Sequence, residues 1–212
     1  MKLRQYQLGP MANFTYAVAG KKGGDCVVID PGWDVPALLD KLKDDSLKPC
    51  AVLLTHGHYD HSQGVRELLE AHPVPLYYEK SDAQLVGFQS LHDSTFSGDA
   101  EFDLGPFKVF FLHTPGHTPG SCCINIGKNL FTGDTLFLDA CGRTDLPGGD
   151  PKAMRRSLVR LAGLHDDLDI WPGHAYSADT HLRLHDVLAS NPYIKAAKRG
   201  EEDFLLLTGG IV

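Results

Sequence analysis

Residues 55–61 read Thr55-His56-Gly57-His58-Tyr59-Asp60-His61 and place three imidazoles and one carboxylate in a single short loop. An apolar run at residues 51–54 precedes this loop, and apolar side chains recur at helical spacing over residues 65–69. The loop therefore lies where a predicted strand is followed by a helix. Alternate residues of an extended segment point to the same side, so His56 and His58 can bind one cation. The aspartate and the last histidine of the loop then face a neighbouring position.

Three later positions carry side chains of the same ligand chemistry. They are His117 in Thr114-Pro-Gly-His117, Asp134 in Thr132-Gly-Asp134 and His174 in Pro172-Gly-His174. Each follows a predicted strand, and the adjacent glycine or proline lets the backbone bend the side chain toward one end of the sheets. With the first loop they supply enough ligands for two metal ions. Imidazoles and carboxylates without thiolates favour Zn²⁺, Fe or Mn over Mg²⁺ or Ca²⁺.

The composition excludes several classes of protein. The chain has 212 residues, of which 42% are hydrophobic and 22% charged, as in an ordinary globular protein. Its formal net charge of −7, with no cluster of Lys and Arg, argues against binding to nucleic acid or to an anionic membrane. It has no signal-peptide pattern and no apolar run long enough to span a membrane. The five cysteines are an odd number and contain no Cys-x-x-Cys pair, which argues against a secreted disulfide framework and a zinc ribbon, so a reducing cytoplasm is the expected location.

The hydrophobic pattern predicts two strand-rich halves with flanking helices. This order favours a layered α/β architecture, in one domain over residues 1–212, with the helices outside paired sheets. Strands are predicted over residues 13–19, 26–30, 51–55, 107–112, 122–126, 129–132 and 167–171, with a hairpin turn at 20–24. Helices are predicted after Asp34, from residue 65, after Asp150 and, as the last helix, over residues 177–189.

These motifs together resemble the metallo-β-lactamase superfamily, from the Asp30-Pro-Gly turn to His174. The resemblance implies a four-layer αββα sandwich of two mixed β-sheets with a dinuclear metal site between them. It also implies that Asp30 supports the first histidine loop. The ligands that the resemblance implies are His56, His58 and His117 for the first metal ion, Asp60, His61 and His174 for the second, and Asp134 as the bridge between them.

Some of the motifs are similar to one branch of that superfamily, the hydroxyacylglutathione hydrolases of the glyoxalase II type. The similarity lies in residues 113–120, 133–137 and 172–176, while residues 142–150 resemble the small bacterial members of the branch. The resemblance implies a hydrolase that cleaves a small-molecule thioester such as S-lactoylglutathione. Two adjacent dications, most readily zinc, would acidify a shared water, and Asp60 would aim it at the carbonyl carbon. A thiolate then leaves readily, because the pKa of a thiol is only about 8.5.

Two residues match positions that contact the glutathione portion in that branch, Arg143 and Tyr176. Asp145 stands where those enzymes place an aromatic side chain. Only 38 residues follow His174, too few for the helical glutathione-binding domain of the longer enzymes. A surface salt bridge with Asp145 or Asp150 is the competing interpretation of Arg143.

A mononuclear iron enzyme is the second hypothesis. Gly142-Arg-Thr-Asp145 is also typical of persulfide dioxygenases. His56, His117 and Asp134 alone would form the two-histidine, one-carboxylate set of non-haem Fe(II) oxygenases. Against this hypothesis, Tyr59 stands where those enzymes usually have alanine, and Pro-Gly-His at residues 172–174 is more typical of the hydrolases than Pro-Ala-His.

Two further features lie outside these motifs. His113, just before the Thr-Pro-Gly turn, is a candidate to support a ligand rather than to be one. The apolar end of the chain, Leu205–Leu207 followed by Thr-Gly-Gly-Ile-Val, either packs on its own domain or forms a dimer contact or a flap over the site. The chain is therefore expected to be a monomer or a homodimer.

Overall fold

Strands of two sheets form the centre of the computed structural model, which describes residues 1–20, 24–87 and 93–209. Within these residues the first sheet has the order β1-β2-β3-β4-β5-β6. Its first three strands are antiparallel and its last four are parallel, so the sheet is mixed. The strands are β1 (Lys2–Leu8), β2 (Asn13–Ala19), β3 (Gly24–Ile29), β4 (Leu47–Leu53), β5 (Leu76–Glu79) and β6 (Asp93–Phe96).

The second sheet has the order β12-β11-β10-β9-β8-β7. Only β10 and β11 are parallel, and the other pairs are antiparallel. The strands are β7 (Ala100–Leu104), β8 (Phe107–His113), β9 (Cys122–Ile126), β10 (Asn129–Gly133), β11 (Asp169–Pro172) and β12 (Leu182–Arg183).

Helices cover the outer face of each sheet. Those beside the first sheet are α1 (Val35–Asp44), α2 (Tyr59–Ser62), α3 (Val65–Ala71) and α4 (Ala83–Val86). Those beside the second are α5 (Pro151–Leu161), α6 (Leu184–Ser190), α7 (Pro192–Arg199) and α8 (Glu201–Thr208). None of the described helices has the length and apolarity needed to cross a bilayer.

The strands are apolar on both faces, because each sheet is buried on both sides. In β3, Cys26 and Val28 pack toward the helices of the first layer, whereas Val27 and Ile29 pack between the sheets. A third cluster fills the space between the second sheet and its helices and includes Met154 of α5. The predicted αββα sandwich of two mixed sheets is therefore confirmed.

The predicted last helix over residues 177–189 is wrong. Leu182 and Arg183 instead extend the second sheet by pairing with β11, so the helix begins only at Leu184. Two more helices follow, and Phe204 of α8 is buried in the third cluster. Leu206 is 77% exposed, and residues 210–212 of the apolar end lie outside the described residues, as do residues 21–23 of the predicted hairpin turn.

Candidate metal centre

Four loops converge at one edge of the two sheets. They follow the carboxyl ends of β4, β8, β10 and β11, and the predicted ligands all lie on them or at the start of α2. Ligands commonly bind at the carboxyl ends of strands in α/β sheets, because the loops there converge on one crevice. The seven predicted side chains are His56, His58, Asp60, His61, His117, Asp134 and His174; five of them are buried, and His58 and Asp134 are partly exposed.

The first three imidazoles form one triad, His56, His58 and His117. One ligand atom of each lies within 4.8 Å of the others. His58 Nδ1 is 2.9 Å from His117 Nε2. The ring of His56 lies about as close to both, with centroid distances of 5.0 Å to His58 and 4.9 Å to His117. The two histidines of the His-x-His sequence thus face the same point, together with His117.

The second triad consists of Asp60, His61 and His174. The Nε2 atoms of the two histidines are 3.1 Å apart. Asp60 Oδ2 lies 3.4 Å from His174 Nε2 and 3.6 Å from His61 Nε2. The turn of α2 separates these side chains from the first triad, because it rotates residues 60 and 61 away from the extended His-x-His segment.

Asp134 lies between the two triads. Its Oδ1 is 3.4 Å from His61 Nε2, and its Oδ2 is 3.3 Å from His174 Nε2 and 3.6 Å from His117 Nε2. One carboxylate therefore reaches atoms of both sets. The first triad could hold one metal ion and the second triad another, with Asp134 within reach of both.

The buried donor atoms fit such a pair of ions. His56 Nε2 and Asp134 Oδ1 are buried and have no hydrogen-bond partner among the described residues. An unpaired buried polar atom is costly, because it has lost its water and gained no replacement. Ring nitrogens also approach one another, at 2.9 Å between His58 and His117 and at 3.1 Å between His61 and His174. Cations would satisfy these converging lone pairs.

Comparison with known proteins identifies the family to which the chain belongs. Residues 8–174 match the model of the metallo-beta-lactamase superfamily. The chain belongs to this superfamily. It is 32% identical to the probable metallo-hydrolase YqgX of Bacillus subtilis, over 92% of this chain and 98% of that protein. It is 35% identical to a hydroxyacylglutathione hydrolase of Tolumonas auensis, over 82% of this chain and 66% of that protein.

A solved structure extends the similarity to almost the full chain. The crystal structure of ETHE1 from Myxococcus xanthus superposes with a TM-score of 0.86 at 27% sequence identity. The alignment covers 99% of this chain and 90% of that protein. The protein is therefore similar both to a hydroxyacylglutathione hydrolase and to ETHE1. What these similarities establish is membership of the superfamily.

Most of the candidate metal-binding histidines are oriented by a hydrogen bond at the ring nitrogen that faces away from the metal centre. Such contacts fix the imidazole tautomer and leave the other nitrogen free for a ligand. His117 Nδ1 is 2.8 Å from the Arg143 carbonyl oxygen, and His174 Nδ1 is 2.9 Å from that of Met11. His56 Nδ1 lies 3.1 Å from Thr55 Oγ1.

Asp30 supports the first loop, as the resemblance implies. It accepts hydrogen bonds from the backbone N–H of Thr55 at 2.8 Å and from its hydroxyl at 2.5 Å. Its Oδ2 is also 3.0 Å from His61 Nδ1. One buried carboxylate thereby fixes the start of the loop and the orientation of a ligand in the second triad.

A second supporting carboxylate, Asp82, was not predicted. It accepts hydrogen bonds from Gly57 N–H, Thr118 Oγ1 and Gly120 N–H at 2.7–2.8 Å. It thus ties the loop of His56 and His58 to the loop of His117. It lies just after β5, which is parallel to β4, so both loops leave the same edge of the sheet; the sequence pattern had not predicted β5. His113, the predicted supporting residue, lies 2.9 Å through its Nε2 from the Pro119 carbonyl oxygen in the same region.

The two triads differ in their affinity for protons. Burial lowers the pKa of His56 well below its usual value, and the imidazoles around it add to the effect. Burial, followed by the charge of His117, also lowers the pKa of His58. In the second triad, burial alone would lower the pKa of His174, but hydrogen bonds to Asp134 and Asp60 raise it to about 10. At neutral pH His56 and His58 are therefore neutral, whereas His174 retains a proton.

The carboxylates remain ionised despite their burial. Burial would raise the pKa of Asp134, but His61 and His174 lower it to about 2. Burial would also raise the pKa of Asp60, which the hydrogen bond to His174 and the charge of His61 bring below its usual value. For His61, burial lowers the pKa, but the charges of Asp134, Asp30 and Asp60 outweigh it and raise the value.

A cavity of about 520 Å³ opens onto these side chains. Its floor includes Asp60 and Asp134, so a bound molecule would reach the atoms between the triads. Apart from the predicted ligands and one arginine, its walls are apolar or aromatic. These wall residues are Met11, Tyr59, Phe137, Ala140, Cys141, Leu146, Pro147 and Tyr176.

The two predicted substrate contacts both line this cavity. Tyr176 is 60% exposed, and its ring stacks on that of His174 with the centroids 4.6 Å apart. Arg143 also reaches the wall, but its guanidinium forms a two-pronged pair with Asp145, with Nε and Nη2 at 2.9 and 2.8 Å from the carboxylate oxygens. The surface salt bridge expected as the alternative for Arg143 is therefore present.

Proposed function

We propose that this protein is a metal-dependent hydrolase that cleaves a small thioester, S-lactoylglutathione or a similar acyl thiol, with two divalent metal ions. Zinc is the metal expected, with iron or manganese as alternatives. The observation that carries the proposal is the position of Asp134 between two complete triads. His56, His58 and His117 would hold one ion, and Asp60, His61 and His174 the other, with Asp134 as the shared ligand.

When bound, such ions acidify a water toward neutral pH and polarise a carbonyl oxygen. The role of Asp60 is to orient that water. Its carboxylate is ionised at neutral pH and lines the cavity, so it can accept a hydrogen bond from the water and direct it toward the carbonyl carbon. The leaving thiolate needs no acid, because the pKa of a thiol is about 8.5. Tyr176 and Arg143 are proposed to contact the thiol portion from the cavity wall.

Gly173 makes room for Asp134 to reach both triads. A Cβ atom at this position would lie 2.3 Å from Asp134 Oδ1 and 2.9 Å from His61 Cε1. The carboxylate would therefore have to turn away from the second triad if residue 173 were alanine. The glycine of Pro172-Gly-His174 thus supports a two-ion site over a site with one iron.

The Gly173→Ala variant is expected to bind the second ion about 10–100-fold more weakly and to lose a similar factor in kcat, because it displaces a ligand without removing one. Chelator competition, read by metal analysis, measures both dissociation constants. Gly20→Ala is the matched control, because its added Cβ meets nothing within 4 Å. If Gly173→Ala kept the wild-type affinity for both ions, the bridging role of Asp134 would be wrong.

We also expect zinc binding to release different numbers of protons from the two triads. At pH 7 the metal-free protein carries a proton on His174, whose pKa is raised to about 10, and the pKa of His61 is also raised. The pKa of His56 is lowered, so its ring is already neutral. The triad with fewer protons to displace should fill first, so the second equivalent of zinc should release more protons than the first, and its affinity should fall more steeply as the pH falls below 10.

Calorimetric titration in two buffers with different enthalpies of ionisation measures this release for each equivalent. Equal proton release from both equivalents, within about one pH unit of neutrality, would contradict the assignment of protons to the second triad.

A paired assay tests the proposed reaction against the iron alternative. The purified protein is given S-lactoylglutathione with detection of the released thiol, and glutathione persulfide with an oxygen electrode. Thiol release without oxygen uptake is the expected result. Oxygen uptake by protein that holds one iron per chain, without thioester cleavage, would establish the persulfide dioxygenase instead.

A further inference from the structure

Asn13 lies at the start of β2, on the same edge of the sheets as the two triads. It is buried, with 2% of its surface exposed. Its Nδ2 donates to Asp60 Oδ2 at 3.0 Å, and its Oδ1 accepts from Trp33 Nε1 at 2.8 Å. Neither Asn13 nor Trp33 belongs to a motif that the sequence analysis identified. Their contacts nevertheless lead directly to the carboxylate that is proposed to orient the water.

The direction of this hydrogen-bonded chain is fixed by chemistry. An indole nitrogen can only donate, so the group that faces Trp33 must be the amide oxygen of Asn13. The NH₂ group then points toward Asp60. The backbone adds rigidity, because Asn13 pairs with His174 in an isolated bridge and Phe14 N–H donates to the Gly173 carbonyl at 2.8 Å. Asn13 is therefore held by the ligand loop on one side and by the indole on the other.

We propose that Asn13, oriented by Trp33, is the positioning residue that fixes the carboxylate of Asp60 in its working orientation. This inference rests on the proposed function of Asp60. The amide occupies Oδ2, so the carboxylate cannot rotate freely about its Cβ–Cγ bond. Without that contact Asp60 could turn toward His61 or His174 alone, and its aim at the substrate carbonyl would be lost. Small misplacements of such a group lower the rate more than the substrate affinity.

A double-mutant cycle tests this inference through kcat and KM for thioester hydrolysis. Asn13→Ala should lower kcat about 10–100-fold, the range found for groups that orient metal ligands, with KM changed about twofold or less. Trp33→Phe keeps an aromatic ring but removes the donor, and it should lower kcat about 3–10-fold. Because Trp33→Phe keeps an aromatic ring beside Tyr59 and removes only the hydrogen bond to Asn13, the double variant should be no slower than Asn13→Ala.

Metal affinity provides a readout that does not depend on activity. Asn13→Ala should weaken the binding of the second zinc ion about tenfold and leave the first unchanged, since the ligands that lose a contact, Asp60 and His61, both belong to the second triad. Trp171→Phe is the matched control. It breaks the same type of bond, from Trp171 Nε1 to Asn129 Oδ1 at 3.0 Å, at the amino-terminal end of β10 and therefore away from the metal centre. It should leave kcat and both metal affinities unchanged.

Three results would overturn the proposal. They are additive effects of the two substitutions, a Trp171→Phe variant as slow as Trp33→Phe, or an Asn13→Ala variant with wild-type kcat and metal binding. If Asn13→Ala does not fold, the comparison of Trp33→Phe with Trp171→Phe still tests the proposal, because Asn13 is intact in both variants. If the wild-type protein cleaves no thioester, the proposed function fails, and the affinity for the second zinc ion still tests the role of Asn13.

Discussion

The Asp60→Asn variant is expected to lower kcat for thioester hydrolysis by a factor of about 10²–10⁴. Asparagine has the same shape, so the packing around residue 60 is preserved. It is neutral, however, and replaces one of the two oxygens by an NH₂ donor, so it cannot present an oxygen both to Asn13 Nδ2 and, on its other side, to the attacking water. Steady-state kinetics with metal content measured in the same samples tests this result, since the first zinc ion should remain bound.

A control variant tests whether the rate depends on the carboxylate of Asp60 in particular or only on the loss of a buried or hydrogen-bonded carboxylate charge. Asp45 also carries a carboxylate whose pKa is below its usual range, in hydrogen bonds to Arg4 and Tyr6. It belongs to the turn after α1 and is not part of the metal centre. Asp45→Asn should retain the wild-type kcat. A rate for Asp60→Asn within about tenfold of wild type, less than the effect of a typical general base, would remove Asp60 from the proposed chemistry.

Removal of the metal ions is expected to abolish activity and to destabilise the fold. The metal-free protein keeps Asp60 and Asp134 ionised next to histidines, and the orphan atoms His56 Nε2 and Asp134 Oδ1 stay unpaired. A ligand present at 1,000 times its Kd stabilises the native state by about 4 kcal/mol. For a chain of this length that corresponds to a fall in Tm of about 8–16 °C on removal.

Thermal unfolding with and without a chelator measures the shift, and addition of two equivalents of zinc should restore both Tm and kcat. A chelator that removes all metal yet leaves the rate unchanged would show that the reaction does not depend on the ions. An unchanged Tm would show instead that the seven side chains do not need the cations to stay together.

The metal-binding motifs could be predicted because their signals are local. His56 and His58 are two residues apart in an extended loop, and His117, Asp134 and His174 each follow an apolar strand and a glycine. The convergence of those loops could be expected from the superfamily resemblance. The roles of the residues as ligands stay proposals.

The residues that hold these side chains in place could not be predicted in the same way. Asn13 and Trp33 contact Asp60 only after strands and turns far apart in the sequence have come together. A single asparagine at the start of a strand gives no sign of such a contact. Asp82 follows β5, which the hydrophobic pattern did not predict, so its place at the same edge as the end of β4 emerged only from the structure.

The secondary structure was missed where propensity and tertiary context differ. β1 carries Arg4 and alternates polar with apolar side chains at a sheet edge, and β6 has only four residues, so neither stands out as an apolar run. The helix predicted over residues 177–189 begins late, because sheet pairing by Leu182 takes precedence over its helical spacing. α7 was not predicted, although its start carries local signals: Asn191 caps it by accepting from the N–H of Ile194, and Pro192 stands at its first position.

The most direct test of the central claim is a crystal of the zinc-loaded protein measured at the zinc absorption edge. Anomalous scattering locates the ions without reference to any assumed chemistry. We expect two peaks, one among His56, His58 and His117 and one among Asp60, His61 and His174, with Asp134 in contact with both. A single peak, or peaks that lie away from these seven side chains, would contradict the account.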